Sequence, residues 1–146
     1  YASMIASTTR LNRPGAELAR QGGVHAMTDV TGFGLLGHLA EMCRGAGLGA
    51  VLDRGAVPVF PGARRLVAEG VKTGASGRNW ASVGAMVDGA LSDAERDILC
   101  DPQTSGGLLV ACAAEAAGDA LAVFRAHGHD AAVIGRMTGG PARISV

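Results

Sequence analysis

Asp29 stands at the end of a strand-like stretch, Val24 to Val30, directly before a turn, Thr31-Gly32-Phe33-Gly34, that opens a helical pattern. A carboxylate in that place can face the same point as the unpaired N–H groups of the first helical turn. Those amides suit phosphate, and a carboxylate suits Mg²⁺, which typically takes one or two protein carboxylates and completes its shell with phosphate oxygens and water. Asp29 is therefore the candidate metal ligand, with Thr31, Gly32 and Gly34 as a candidate phosphate-facing turn, and together they suggest a Mg-nucleotide. Plain capping of the helix by Asp29 or Thr31 fits the same spacing.

A second small-residue segment, Asp101-Pro102-Gln103-Thr104-Ser105-Gly106-Gly107, can wrap an anion with its backbone or simply make a tight turn between helix and strand. No Walker A pattern is present, and Lys72, the only lysine, lies outside any Gly-Lys-Ser/Thr context, which excludes an ordinary P-loop. His25, His38, His127 and His129 lack metalloprotease spacing, and the last two read as a solvated helix end that complements the dipole. Cys43, Cys100 and Cys112 lie far apart, without the short paired spacings of a zinc site or disulfide framework, and are expected to be reduced and mostly buried. Cys100 reads as a filler rather than a nucleophile, because no neighbour lowers its pKa. Trp80 either covers a ligand or anchors its own segment.

These groups must be positioned by a chain of 146 residues, the size of one domain, and 1–146 is read as a single domain. Thirteen Lys and Arg balance thirteen Asp and Glu, so no broad positive field is available for nucleic acid or an anionic membrane. Hydrophobic residues make up 48% of the chain, enough for a core. No apolar run approaches a membrane span and the start lacks signal-peptide character, so a soluble, cytoplasmic protein is expected. Tyr1 in place of an initiator methionine suggests a fragment or a processed product. Aromatics are only 3%, which leaves the core to Ala, Val, Leu and Met, while 23 glycines imply many tight turns or close backbone approaches.

Periodicity predicts an interrupted helix over 3–21, broken at Pro14-Gly15, then the strand 24–30 and a helix with Leu35, Leu36, Leu39, Met42 and Cys43 on one stripe. A strand over 50–53 completes a β-α-β unit. A short helix follows through Arg64, Leu66 and Val67, and the Gly/Ser/Asn-rich stretch 73–84 reads as a surface loop. Ser92-Asp93-Ala94-Glu95 is a capping box opening a short helix. A strand over 108–113, a helix over 115–127 with Leu121 and Phe124 inward and Gly128 beyond its end, and a strand over 131–134 form a second β-α-β unit. The expected fold class is α+β: a layered sandwich with a mixed sheet of about four main strands, partly ferredoxin-like in order.

The stretch His25-Ala26-Met27-Thr28-Asp29-Val30-Thr31-Gly32-Phe33-Gly34-Leu35-Leu36-Gly37-His38-Leu39 resembles a signature of the selenophosphate synthetases (selenide, water dikinases). Asp101-Pro102-Gln103-Thr104-Ser105-Gly106-Gly107-Leu108-Leu109 resembles their second signature, and Val57-Pro58, Pro61-Gly62-Ala63 and Asn79 fit the segment between. The resemblance runs through the whole chain and covers the C-terminal half of such an enzyme. It implies the C-terminal fold shared with aminoimidazole ribonucleotide (AIR) synthetase, hydrogenase maturation and thiamine-monophosphate kinase relatives. It also implies an enzyme that uses ATP, Mg²⁺, selenide and water to form selenophosphate, AMP and orthophosphate, and that pairs as a homodimer. The family's reactive Cys or selenocysteine, its Lys, its glycine-rich segment and most of its Mg²⁺-binding aspartates belong to the N-terminal half. No catalytic residue is therefore expected in this domain, and Asp29 matches a family aspartate that binds Mg²⁺.

Three functions follow as expectations. The first is a C-terminal domain, inactive alone, that supplies Asp29 and one wall of an interdomain ATP site. The second is a non-catalytic binding or assembly module that pairs through an apolar face. The third is a related superfamily member with a different phosphoryl acceptor.

Overall fold

The computed structural model describes residues 1–146 as seven α-helices and six strands. The N-terminal segment is two short helices, α1 (Ala2–Thr8) and α2 (Pro14–Leu18), divided where Pro14 takes the first helical position and starts a new helix. β1 (Val24–Asp29) then leads through the Thr31–Phe33 turn into α3 (Gly34–Ala46). Of the expected stripe on α3, Leu36, Leu39 and Cys43 are buried, and Leu35 and Met42 pack against them. Gly47 in the left-handed conformation ends the helix, with the Leu48 amide reaching back to the Cys43 carbonyl.

After β2 (Gly49–Leu52) come α4 (Ala63–Ala68), α5 (Gly74–Val83), β3 (Val87–Asp88) and α6 (Asp93–Leu99). The capping box of α6 is complete: the Ser92 hydroxyl accepts from the Glu95 amide, and the Glu95 carboxylate accepts from the Ser92 amide at 2.8 Å. β4 (Leu108–Cys112), α7 (Ala117–Ala126), β5 (Gly135–Thr138) and β6 (Ile144–Ser145) complete the chain. A mixed four-stranded sheet runs in the order β3-β6-β2-β5, with β6 parallel to both β3 and β2, and β5 antiparallel to β2. The α+β class with a mixed four-stranded sheet is as expected.

Which strands build that sheet is not as expected. β1 and β4 leave it to form a separate antiparallel ribbon, with Asp29 opposite Leu108, so neither β-α-β unit exists. The reason is the two-sided burial of β4. Leu109 faces the larger core, built on Leu36, Leu52, Leu99 and Ile144, while Leu108 and Val110 pack against a smaller core of Leu18, Ala120, Val123 and Phe124. A strand alternates its faces, and this ribbon uses the alternation to join two cores. On α7 Phe124 is inward, but Leu121 is only half-buried and Ala120 and Val123 take the other inner positions.

Two element assignments also change. The stretch 73–84 is the helix α5 rather than a loop: Ser76, Trp80 and Val83 fall on one face, with Ser76 and Val83 buried and Trp80 against the core. The strand expected over 131–134 falls instead at Gly135–Thr138, where the chain pairs with β2; before it only the Ile134 carbonyl is engaged, by the Asp53 amide at 2.8 Å.

Candidate functional site

The two signature segments meet. The Val30 amide donates to the Gly107 carbonyl and the Gln103 amide to the Thr31 carbonyl, both at 2.9 Å. Two glycines permit this approach. A Cβ on Gly106 would lie 1.6 Å from the Val30 oxygen, and one on Gly34 would lie 2.6 Å from the Cys100 carbonyl carbon. Gly34 also holds φ +69°, a left-handed conformation that a side chain disfavours.

Asn79 of α5 fastens the junction. Its amide nitrogen donates to the Gly32 carbonyl and to the Cys100 carbonyl, each at 2.9 Å. One side chain thus satisfies an acceptor in the first signature and one on Cys100, the residue just before the second. Asp101 latches the second loop: its carboxylate accepts from the Thr73 hydroxyl at 3.3 Å, from the Gln103 amide group at 3.1 Å, and more weakly from the Ser76 hydroxyl at 3.5 Å.

The first turn is held by His38, which is only 6% exposed. Its Nε2 accepts from the Thr31 amide at 3.0 Å and lies 3.2 Å from the Thr31 hydroxyl. Nδ1 lies 3.2 Å from a Glu41 carboxylate oxygen but without hydrogen-bond direction, so this buried nitrogen has no hydrogen-bond partner. Because Nε2 is an acceptor, the proton of the ring sits on Nδ1. The Phe33 ring stands 5.7 Å from the imidazole and is exposed.

Within this frame Asp29 is exposed at the last position of β1, and its carboxylate enters no hydrogen bond or ion pair of the chain. Neither Asp29 nor Thr31 caps α3, whose N-terminus carries no side-chain cap. The capping alternative is therefore excluded, and the Thr31 hydroxyl is turned to His38 instead. Gly32 is open, with nothing within 4 Å of a Cβ placed on it. Gly34, the third of the candidate phosphate-facing residues, is buried; its amide donates to the Thr31 carbonyl, and its missing side chain makes room for Cys100. The amides of Gly32 and Phe33 remain without partners in the chain.

No group of three or more His, Cys, Asp or Glu side chains converges anywhere. A single exposed carboxylate fits a metal whose remaining ligands come from phosphate, water and another part of a protein. It does not make a metal site alone.

The other candidates fall outside the junction or serve structure. Trp80 anchors α5, with Gly84 beneath its ring and the Arg96 guanidinium 4.9 Å above it. All three cysteines are free; burial, reinforced by the Asp97 charge, pushes the Cys100 thiol up to about 11. Lys72 pairs with Asp97 at 3.3 Å, and His127 lies 3.1 Å from a Glu17 carboxylate oxygen at the end of α7. His25 is exposed on β1. Sequence reading missed the roles of Thr73, Ser76 and His38. The usable signal was a polar residue at helical spacing from a buried one, Ser76 with Trp80 and Val83.

Residues 4–146 match the family described as AIR synthase related protein, C-terminal domain. The chain belongs to that family. Similar relatives of this AIR synthase related domain are the selenide, water dikinases of Burkholderia orbicola (strain MC0-3), 60% identical, and of Pseudomonas straminea, 53% identical. In each case the match takes in 100% of this chain but 42% of the relative. The chain thus spans about two fifths of the length of those curated relatives. Among solved structures, Escherichia coli HypE, described as a hydrogenase maturation protein, superposes with a TM-score of 0.59 at 23% identity, covering 88% of this chain and 33% of the other. That likeness fixes the domain's fold and nothing finer. No helix is long and apolar enough to cross a membrane.

Proposed function

We propose that this AIR synthase related domain is the C-terminal part of a selenide, water dikinase, and that it lends Asp29 to a Mg²⁺ ion in an ATP site shared with a domain outside this chain. The relatives' name supports the reaction class: ATP, selenide and water become selenophosphate, AMP and orthophosphate. The observation that carries the assignment of Asp29 is its free, exposed carboxylate at the end of β1, beside the unpaired amides of Gly32 and Phe33.

Phosphoryl transfer depends mostly on positioning and on neutralising phosphate charge. A Mg²⁺ ion held by Asp29 would supply positive charge to offset that of the phosphates. The chain's own contributions are simpler. Asp29 offers one anionic oxygen ligand. Thr31 and Gly32 hold a turn in which the Gly32 and Phe33 N–H groups have no partner in the chain. His38 and Asn79 keep that turn fixed against the second loop, so no reorganisation accompanies ligand arrival. None of these groups attacks phosphorus or carries a proton to it.

The test is Asp29→Asn in the full-length enzyme. Turnover at limiting Mg²⁺ falls on the order of 100-fold, as loss of a metal's protein partner typically produces, while stability stays within about 0.5 kcal/mol because the exposed carboxylate makes no hydrogen bond or ion pair. Full turnover by the variant removes Asp29 from the reaction.

A second reading, an assembly module that pairs as a homodimer, draws on Met4, Ile5, Leu11 and Phe60, all exposed apolar side chains. Sedimentation with and without Mg-ATP separates the two. A stable dimer indifferent to nucleotide favours assembly.

A further inference from the structure

We propose that the groove between the Thr9–Arg13 strap and the end of α7 binds a phosphate-type oxyanion, at a place distinct from Asp29 and independent of the function proposed above. Its lining is Thr9, Arg10, Leu11, Arg13, His127 and His129, around about 250 Å³ of open space. That volume is below the about 300–1,000 Å³ of clefts that take drug-sized ligands. It suits an ion or a small phosphoester rather than a whole nucleotide buried in a pocket.

The charge of the groove is unbalanced. Neither Arg10 nor Arg13 enters any of the ion pairs of the chain. Arg10 spends one N–H on the Gly128 carbonyl at 2.5 Å, which leaves guanidinium donors free, and Arg13 has no side-chain partner. The opposing charges are the Glu17 carboxylate, engaged with His127, and the partially negative end of α7, which Arg10 covers. Two arginines thus line one groove whose lining holds no carboxylate, and a guanidinium can meet phosphate with paired N–H donors. His129 senses the field. Its pKa is lowered first by burial and then by the Arg10 charge, with His127 adding to the effect against a raising hydrogen bond at Leu11.

The strap has a second contact that gives the groove a functional neighbour. The Ser105 hydroxyl donates to the Thr8 carbonyl at 3.3 Å, and the Asn12 side chain donates to the Gly106 carbonyl at 2.9 Å. One short segment therefore touches the second signature loop on one side and the groove on the other.

The experiment is an NMR titration of the His127 and His129 ring resonances with inorganic phosphate, run against chloride at matched ionic strength. The expected result is a saturable shift with phosphate alone, and a His129 titration midpoint that moves up, because a bound anion favours the imidazolium. Arg13→Gln weakens the binding roughly tenfold, the loss of one charge-assisted hydrogen bond. A parallel titration with a nucleoside monophosphate separates the sources. Equal affinity assigns recognition to the phosphate group, and preference for either ligand identifies a free ion or an ester. Shifts reproduced by chloride, or binding unchanged in both Arg13→Gln and Arg10→Lys, overturn the proposal.

Discussion

The Thr31 amide donates to Nε2 of His38 across 3.0 Å, seven residues apart in sequence, and so ties the turn after β1 to the first face of α3. A buried imidazole acting as acceptor for a backbone N–H fixes which ring nitrogen carries the proton. ¹⁵N NMR of the rings is expected to show His38 as the Nδ1–H tautomer, with Nε2 unprotonated. His38→Ala opens a cavity and orphans the Thr31 amide, and should cost about 2–4 kcal/mol in chemical denaturation. A loss under 1 kcal/mol would mean the turn holds its shape without the ring.

Asn79 bonds Gly32 of the first signature and Cys100, the residue directly before the second. Asn79→Ala leaves two carbonyls without their donor and should destabilise by about 1–3 kcal/mol. Asn79→Asp should be worse, because a carboxylate would then face two carbonyl oxygens. An Asp variant as stable as the parent would contradict the bonding described.

The glycines separate packing from openness. Gly34→Ala places a Cβ 2.6 Å from the Cys100 backbone at positive φ, and should lose about 3 kcal/mol or fail to fold. Gly32→Ala meets nothing within 4 Å and should stay within about 1 kcal/mol of the parent. Thermal melts of the pair make the comparison, and equal losses would refute it.

Acid sensitivity should trace to Glu95 and Asp88. Hydrogen bonds from the Ser92 hydroxyl and amide, with the Arg54 charge adding, hold the Glu95 carboxyl below its ordinary 4.5, and hydrogen bonding to Arg143 does the same for Asp88 below 3.8. A depressed carboxylate stabilises the fold above its unfolded pKa, and that contribution is lost as pH falls through the folded value. Stability is thus expected to be flat on this account near neutrality and to decline below about pH 4.5. Ser92→Ala should raise the Glu95 midpoint in an NMR titration and cost about 1 kcal/mol.

Cys100 should react later than Cys112. With its pKa pushed up to about 11 and its side chain fully buried, alkylation at pH 8 should proceed only as the protein opens. Mass mapping of a time course with iodoacetamide checks this; early labelling of Cys100 before Cys112 would contradict it.

What the sequence determined was local. The Ser92–Glu95 capping box, the left-handed glycine after α3 and the strand–turn–helix around Asp29 are short-range signals, because each depends on neighbours within one turn of chain. The same signals placed Asp29 as a candidate and left helix capping open beside it. Tertiary structure decided the rest. It paired β1 with β4 apart from the main sheet, since alternating burial states that a strand has two faces without naming what covers each. It turned 73–84 into a helix, since the apolar contribution of Trp80 and Val83 is hidden among glycine, serine and asparagine until a core receives it. It also packed Gly34 tightly, because only the arrival of Cys100, sixty-six positions on, shows why a side chain is forbidden there. Long-range hydrogen bonds and close backbone approaches carry no periodicity, so they are written in the sequence only as single permissive residues.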